Sequence, residues 1–183
     1  MASVSALSSG TRGVHLELEE VESALLRSLA TQLLEFVAPE TGDHEDPLVA
    51  LVGLDPSAST PEDPALRRLL PDAYQDDADA SSQFRRFTER DLRARKARSA
   101  QVVIADLDAG EQSIDISGDR VDAWLSFLND TRLTLGVRLG ITEESHDELA
   151  DLPDDDPRAT LFQVYDWLTF VQESLVQRLL LDG

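Results

Sequence analysis

The chain has 183 residues, a formal net charge of -20 and a pI near 4.3, with 42% hydrophobic residues and no cysteine. That length fits one domain with a sizeable core. The lack of cysteine excludes disulfides, thiolate metal sites and cysteine nucleophiles within these residues, and it fits a reducing, cytoplasmic setting. The acidity opposes generic binding to nucleic acid or to anionic lipid, because both are polyanions.

No run approaches the roughly 18 apolar residues that a membrane span needs. The start, MASVSALSSGTRG, lacks the basic flank and apolar run of a signal peptide. Residues 1–12 read as a disordered tail and residues 13–183 as a single helical domain. The first element, Gly13 to Leu18, alternates with Val14, Leu16 and Leu18 on one side, which is a strand signal. A helix follows over Glu19 to Val37. Leu25, Leu29, Leu33 and Phe36 form its apolar face, with Leu26 and Val37 at the flank, and Pro39 ends it.

Residues 39–64 read as a linker with two short helices. One runs from Asp46-Pro47 to Gly53 and the other from Asp63-Pro64 to Pro71, since proline suits a first helical position. From about Asp76 to Asp108 the pattern predicts one long helix without proline or glycine. Gln112 to Ser117 alternates again and pairs naturally with the first strand. Ser117 is the expected cap of the next helix, Gly118 to Gly140, whose buried stripe is Trp124, Leu128, Thr131, Leu135 and Leu139. After an acidic connector, Asp156-Pro157 opens the last helix. There Leu161, Val164, Leu168, Val171 and Leu175 recur at helical spacing, and Leu179 extends the face. The fold class is therefore mainly α, a single-domain helical bundle with a minor two-stranded β-sheet.

Seven of the sixteen basic residues fall between Arg85 and Arg98. At 100° per residue, Arg86, Arg90 and Arg93 lie within about 60° of one another and form a basic stripe. Asp91, Arg95 and Arg98 fall beside Phe84, Phe87 and Val102, which read as the core face of this helix. Ion pairing with the chain's own carboxylates is one use for the stripe, and contact with an anionic partner is the other. A second candidate region is Asn129, Asp130 and Arg132. These residues are expected to pair with Arg95, Arg98 or Asp91 between two helices. Gly136 stands nearby in a helix interior, where glycine costs about 0.5–1 kcal/mol relative to alanine. It permits either close helix packing or a cleft for a peptide or ligand.

Known catalytic signals are absent. His15, His44 and His146 are scattered without metal-ligand spacing, and the Asp-rich runs do not follow the Ca-loop pattern. No phosphate-binding or nucleophile-elbow motif occurs, and carboxylate pairs in so acidic a chain carry little information about acid–base catalysis. No enzymatic activity, cofactor or metal is expected.

The segments RLLPDAYQDD (68–77), FRRFTERDLRARK (84–96) and WLSFLNDTRLTLGVRLGI (124–141) together resemble the actinobacterial family catalogued as domain of unknown function 2017, over about residues 13–180. Some members of that family carry a transcriptional-regulator label. They are commonly encoded near the adaptor of the Clp protease and near a metallopeptidase with a small sulfur-carrier protein. The resemblance thus implies a link to protein turnover or sulfur metabolism, and it transfers no catalytic residue. The expectation from residues and resemblance together is a cytoplasmic, non-enzymatic accessory or regulatory factor. It would bind another protein through Arg86, Arg90 and Arg93, with Asn129, Asp130 and Arg132 next, and would have a link to regulated proteolysis. The near-heptad apolar spacing of the last helix would also suit a homodimer. The alternative is a DNA-binding transcriptional regulator, which needs a basic recognition helix after a short turn.

Overall fold

The computed structural model describes residues 1–7, 13–38, 59–74, 76–110, 112–142, 145–153 and 155–181. Two antiparallel pairings give a sheet of order β1-β2-β3, built from β1 (Ser3–Ala6), β2 (Gly13–Glu17) and β3 (Ser113–Ser117). Ser3 lies opposite Glu17 and Ala6 opposite Val14, while Gly13 lies opposite Ser117 and Glu17 opposite Ser113. The sheet thus has three strands, not two, and residues 3–6 form a strand where the sequence suggests a tail. Ala2, Val4 and Ala6 alternate with serines, so one side of this short strand can be buried. Ala2 is buried, Val4 packs on the core, and the Ala2 backbone N–H donates to the Glu22 carboxylate at 2.8 Å.

Helix α1 (Glu20–Val37) begins with a capping box between Glu19 and Glu22, which satisfies orphan N–H groups at its start. Its buried line is Leu26, Ala30, Leu33 and Val37, with Leu25, Leu29 and Phe36 half-buried at the sides. The predicted face is therefore rotated: Leu33 is its only fully buried member. Helix α2 (Pro64–Leu69) has Pro64 in its first turn, and Asp63 caps it by accepting from the Ala65 and Leu66 N–H groups. Helix α3 (Ala78–Gly110) has 33 residues, about 50 Å at 1.5 Å per residue.

Helix α4 (Asp119–Leu139) is preceded by Gly118, not Ser117, at the N-cap position. The cap residue adopts φ 59°, which a side chain disfavours and glycine does not. All five residues of the predicted stripe of α4 are buried. The short α5 (His146–Ala150) precedes α6 (Pro157–Leu181). The α6 start is held as expected, with the Asp156 carboxylate accepting from the Arg158 backbone N–H at 2.8 Å and from its side chain. The Arg158 side chain, then its backbone N–H, lowers the Asp156 pKa to about 2.

Helix α1 packs on α3, α3 on α4, and α4 on both α2 and α6, while the sheet lies against α6. The core is filled by Leu26, Val103, Leu107, Trp124, Phe127, Leu128, Leu168 and Val171, all fully enclosed. Trp124 keeps its indole N–H satisfied by Asp106, at 2.8 Å. The apolar stripe of α6 (Leu168, Val171, Leu175, Leu179) faces this same core, and Leu161 is exposed. The predicted short helix after Asp46, and His44, lie outside the described residues. No helix among the described residues is long and apolar enough to cross a membrane.

Candidate functional site

The first half of α3 turns a charged row inward. Arg85 is only 5% exposed, and Glu89 is buried beside it. The Arg85 guanidinium donates to the Glu89 carboxylate, to the Leu70 carbonyl at 3.0 Å and to Asp72 at 2.7 Å. One turn on, Arg93 donates to Glu89 at 2.8 Å and to the Val37 and Ala38 carbonyls, both at 3.3 Å. Those carbonyls end α1, whose last turn holds no basic residue, so Arg93 supplies the cation that this helix terminus favours. Lys96 pairs with the buried Asp130 of α4 at 2.7 Å. Arg85 pulls the Asp72 pKa below its ordinary value. Burial opposes the charge on Arg85, but Asp72 and Glu89 more than offset this and raise its pKa. Burial raises the Asp130 pKa, with Lys96 acting against the shift.

This arrangement reverses the expected orientation of α3. Phe84 and Phe87, read from sequence as core anchors, are 47% and 60% exposed, and Asp91, Arg95 and Arg98 are exposed with them. The core side is instead Arg85, Glu89 and Lys96, followed by Ala100, Val103 and Leu107. Tyr74, 51% exposed, meets Phe84 edge to face at 6.2 Å between ring centres. A groove of about 210 Å³ opens beside them, lined in part by Pro71, Phe84, Thr88, Leu92 and Arg95. Of the predicted basic stripe, Arg86 and Arg90 are exposed on the same half of α3, whereas Arg93 is engaged with Glu89 and α1.

The second candidate region divides in two. Asp130 faces α3, but its partner is Lys96, and not one of the predicted arginines. Arg132 faces α6: its Nε donates to Thr169 and its Nη1 to Gln172, each at 2.9 Å, and the guanidinium lies 5.3 Å over the Tyr165 ring. Asn129 is exposed. Asn129 and Arg132, with Arg68 of α2, Gly136, Ile141 and Tyr165, line a cleft of about 390 Å³ along α4. Among the described residues, a methyl group added at Gly136 would meet only the Tyr165 ring, at 3.7 Å, an ordinary contact. Close packing between helices therefore does not require this glycine.

One constellation is invisible in the sequence. His15 of β2 holds Asp115 of β3 through Nδ1 at 2.6 Å, with Ser113 Oγ 3.4 Å and Glu17 3.7 Å from Nε2. Serine, histidine and aspartate fall in the order of a nucleophilic triad. The partners are nearly 100 residues apart, so only the strand register could have revealed them. Asp115 and Ser113 stand exposed on the sheet's outer side, and none of the three residues lines either cleft described above. The Asp115 hydrogen bond raises the His15 pKa, which fits a cross-strand ion pair. Among the described residues no group of three or more His, Asp or Glu is placed to hold a metal ion.

The family described as domain of unknown function (DUF2017) matches residues 4–179. The oxidative stress regulator AosR of Mycobacterium tuberculosis (strain ATCC 25618 / H37Rv) is 32% identical over 170 residues, covering 85% of this chain and 77% of the relative. AosR of Mycobacterium bovis matches with the same identity and coverage. A Mycobacterium leprae relative is 33% identical over 174 residues, covering 87% of this chain and 79% of its own. No solved structure matches.

Proposed function

The chain belongs to the DUF2017 family, and from that premise we propose that it is a non-enzymatic cytoplasmic regulator that binds another protein at the Tyr74–Phe84–Phe87 corner. The observation that carries this reading is the exposure of three aromatic rings beside Arg86 and Arg90 on an otherwise acidic protein. Aromatic residues and arginine are the side chains most enriched in binding hot spots, and clustered exposed rings mark interaction sites more often than bare surface. The partner surface that fits is apolar at its centre and acidic at its rim.

The relatives' name supports a regulatory role and suggests the response to oxidative stress as its setting. A link to regulated proteolysis is the narrower form of the proposal. The DNA-binding reading is disfavoured by the charge distribution. Arg85, Arg93 and Lys96 face the chain's own carboxylates, and the exposed Arg86, Arg90, Arg95 and Arg98 of α3 stand on a chain of net charge -20, which opposes a polyanion.

The test is affinity enrichment of the tagged protein from its own cell extract, beside the variants Phe84→Ala/Phe87→Ala and Arg86→Glu/Arg90→Glu. A recurring protein partner lost from both folded variants is the expected result. Retention of that partner by the phenylalanine variant removes the corner as the interface. Tight retention of duplex DNA at low salt, lost on charge reversal, would replace this reading with the DNA-binding one.

A further inference from the structure

We propose that the cleft along α4 is a second binding site, built to take an acidic peptide segment of a partner protein with Arg132 and Arg68 receiving its carboxylates. The inference rests on the reading of the protein as a protein binder but concerns a different surface from the aromatic corner.

The first argument is charge. The chain holds 36 acidic residues among 183, yet no carboxylate is among the described residues lining this cleft, and two arginines are. Six arginines elsewhere, Arg27, Arg85, Arg93, Arg120, Arg138 and Arg158, each meet an aspartate or glutamate of the chain. Arg132 is not among them. It is held by a hydroxyl, an amide oxygen and the face of Tyr165, all uncharged, and its Nη2 takes no partner among the described residues. A guanidinium fixed in orientation by neutral groups, with donors left over, is prepared for a carboxylate from outside. Arg68 is exposed and makes no hydrogen bond or ion pair among the described residues.

The second argument is shape. The lining residues follow α4 from Asn129 to Gly140, about 16 Å of helix axis at 1.5 Å per residue. An extended peptide rises about 3.3 Å per residue, so about five residues match that length. Leu133, Val137 and Ile141 lie along the same cleft and offer apolar seats between the charges. A single small anion would not use such an elongated, part-apolar surface.

The third argument is Gly136. It weakens the helix, and no neighbouring backbone among the described residues requires it, since of these an added methyl would touch only Tyr165. What its bare backbone does provide is room for a chain to approach the cleft floor closely.

A random peptide library displayed on phage and selected on the intact protein tests the site directly, whatever the partner. Enriched peptides should carry excess Asp and Glu, perturb the backbone amides of residues 129–142 on titration, and bind Arg68→Glu at least tenfold more weakly. Gly136→Leu, which fills the cleft on a better helix former, should weaken binding at least as much while folding normally. The same peptides should bind Phe84→Ala/Phe87→Ala as they bind the parent, which separates this site from the aromatic corner. Failure to enrich any peptide, enrichment of neutral peptides, or acidic peptides that bind Gly136→Leu as tightly as the parent would each overturn the proposal. None of those outcomes touches the partner captured through the corner.

Discussion

Replacing Arg85 by alanine should unfold this protein more readily than any other single arginine change on α3. Arg85 is buried, and its guanidinium serves two carboxylates and the Leu70 carbonyl. Removing one partner of a buried charge pair typically costs about 3–5 kcal/mol, because the other charge is left desolvated. Two features reduce that figure here. Glu89 keeps Arg93, and Asp72, one-third exposed, can turn to water. The Leu70 carbonyl still loses its Arg85 donor, and an unsatisfied buried group costs about 1–3 kcal/mol. The expected loss is therefore about 3 kcal/mol, or a fall of roughly 1.5 M in the urea midpoint at a slope near 2 kcal/mol per M. Arg86→Ala is the control. It removes the same charge one residue away from an exposed position, where changes usually stay within about 0.5 kcal/mol. Equal midpoints for the two variants, or a loss below about 1 kcal/mol for Arg85→Ala, would refute the inward charged row.

Gly136→Ala should raise stability by about 0.5–1 kcal/mol in the same urea assay, since the methyl finds only ordinary contact with Tyr165; a net loss would show that the helix needs the bare backbone. The lowered pKa values of Asp63, Asp72 and Asp156 mean that their stabilisation is complete above the ordinary carboxylate range and is lost as pH falls through the folded values, about 2 for Asp156. His15 has the opposite sign, so its contribution is full below its unfolded pKa and disappears as pH rises through the raised folded value; His15→Gln should remove that decline in urea midpoints, and an unchanged profile would deny the Asp115 pair. Peroxide at thiol-oxidising doses should leave partner capture unaltered, because these residues hold no cysteine and Met1 is the sole methionine; loss of the partner from the pretreated protein would point to another oxidisable group.

The elements legible in the sequence are those governed by local rules. Strands β2 and β3, the Asp63 and Asp156 caps and the buried stripe of α4 follow from alternation, capping chemistry and helical period. The rotation of α3 is not legible because its core row opens with Arg85, Glu89, Arg93 and Lys96. A reading that seeks apolar residues for the inside turns Phe84 and Phe87 inward instead. Only the placement of Asp72, Asp130 and the end of α1 shows that charge can be buried there. Strand β1 is hidden by small residues, whose alternation is weak in hydropathy and gains meaning only from Glu22 and the β2 edge. Of the candidate residues, Arg86, Arg90 and Asn129 lie on the surface. Arg93 and Asp130 mainly hold helices together, and Arg132 lines a cleft whose Arg68 wall the sequence does not suggest.

The distribution of arginine bears on what kind of partner the protein can recruit. A chain of net charge -20 repels polyanions at long range, and many of its basic groups are matched to its own acids. Two islands of cation lie at the surfaces proposed for binding: Arg86 and Arg90 at the aromatic corner, with Arg95 and Arg98 also exposed on that helix, and Arg68 with the half-buried Arg132 in the cleft. Such islands can read a few acidic side chains set among apolar ones, which is the chemistry of a protein surface. They supply too few cations for a phosphate backbone, whose affinity grows with each phosphate neutralised. The salt dependence of binding discriminates the two directly. A partner held by ring burial and two arginines should lose little affinity with added salt, while a nucleic acid would be shed steeply. With no thiol among these 183 residues, oxidant sensing by cysteine chemistry is not carried by them.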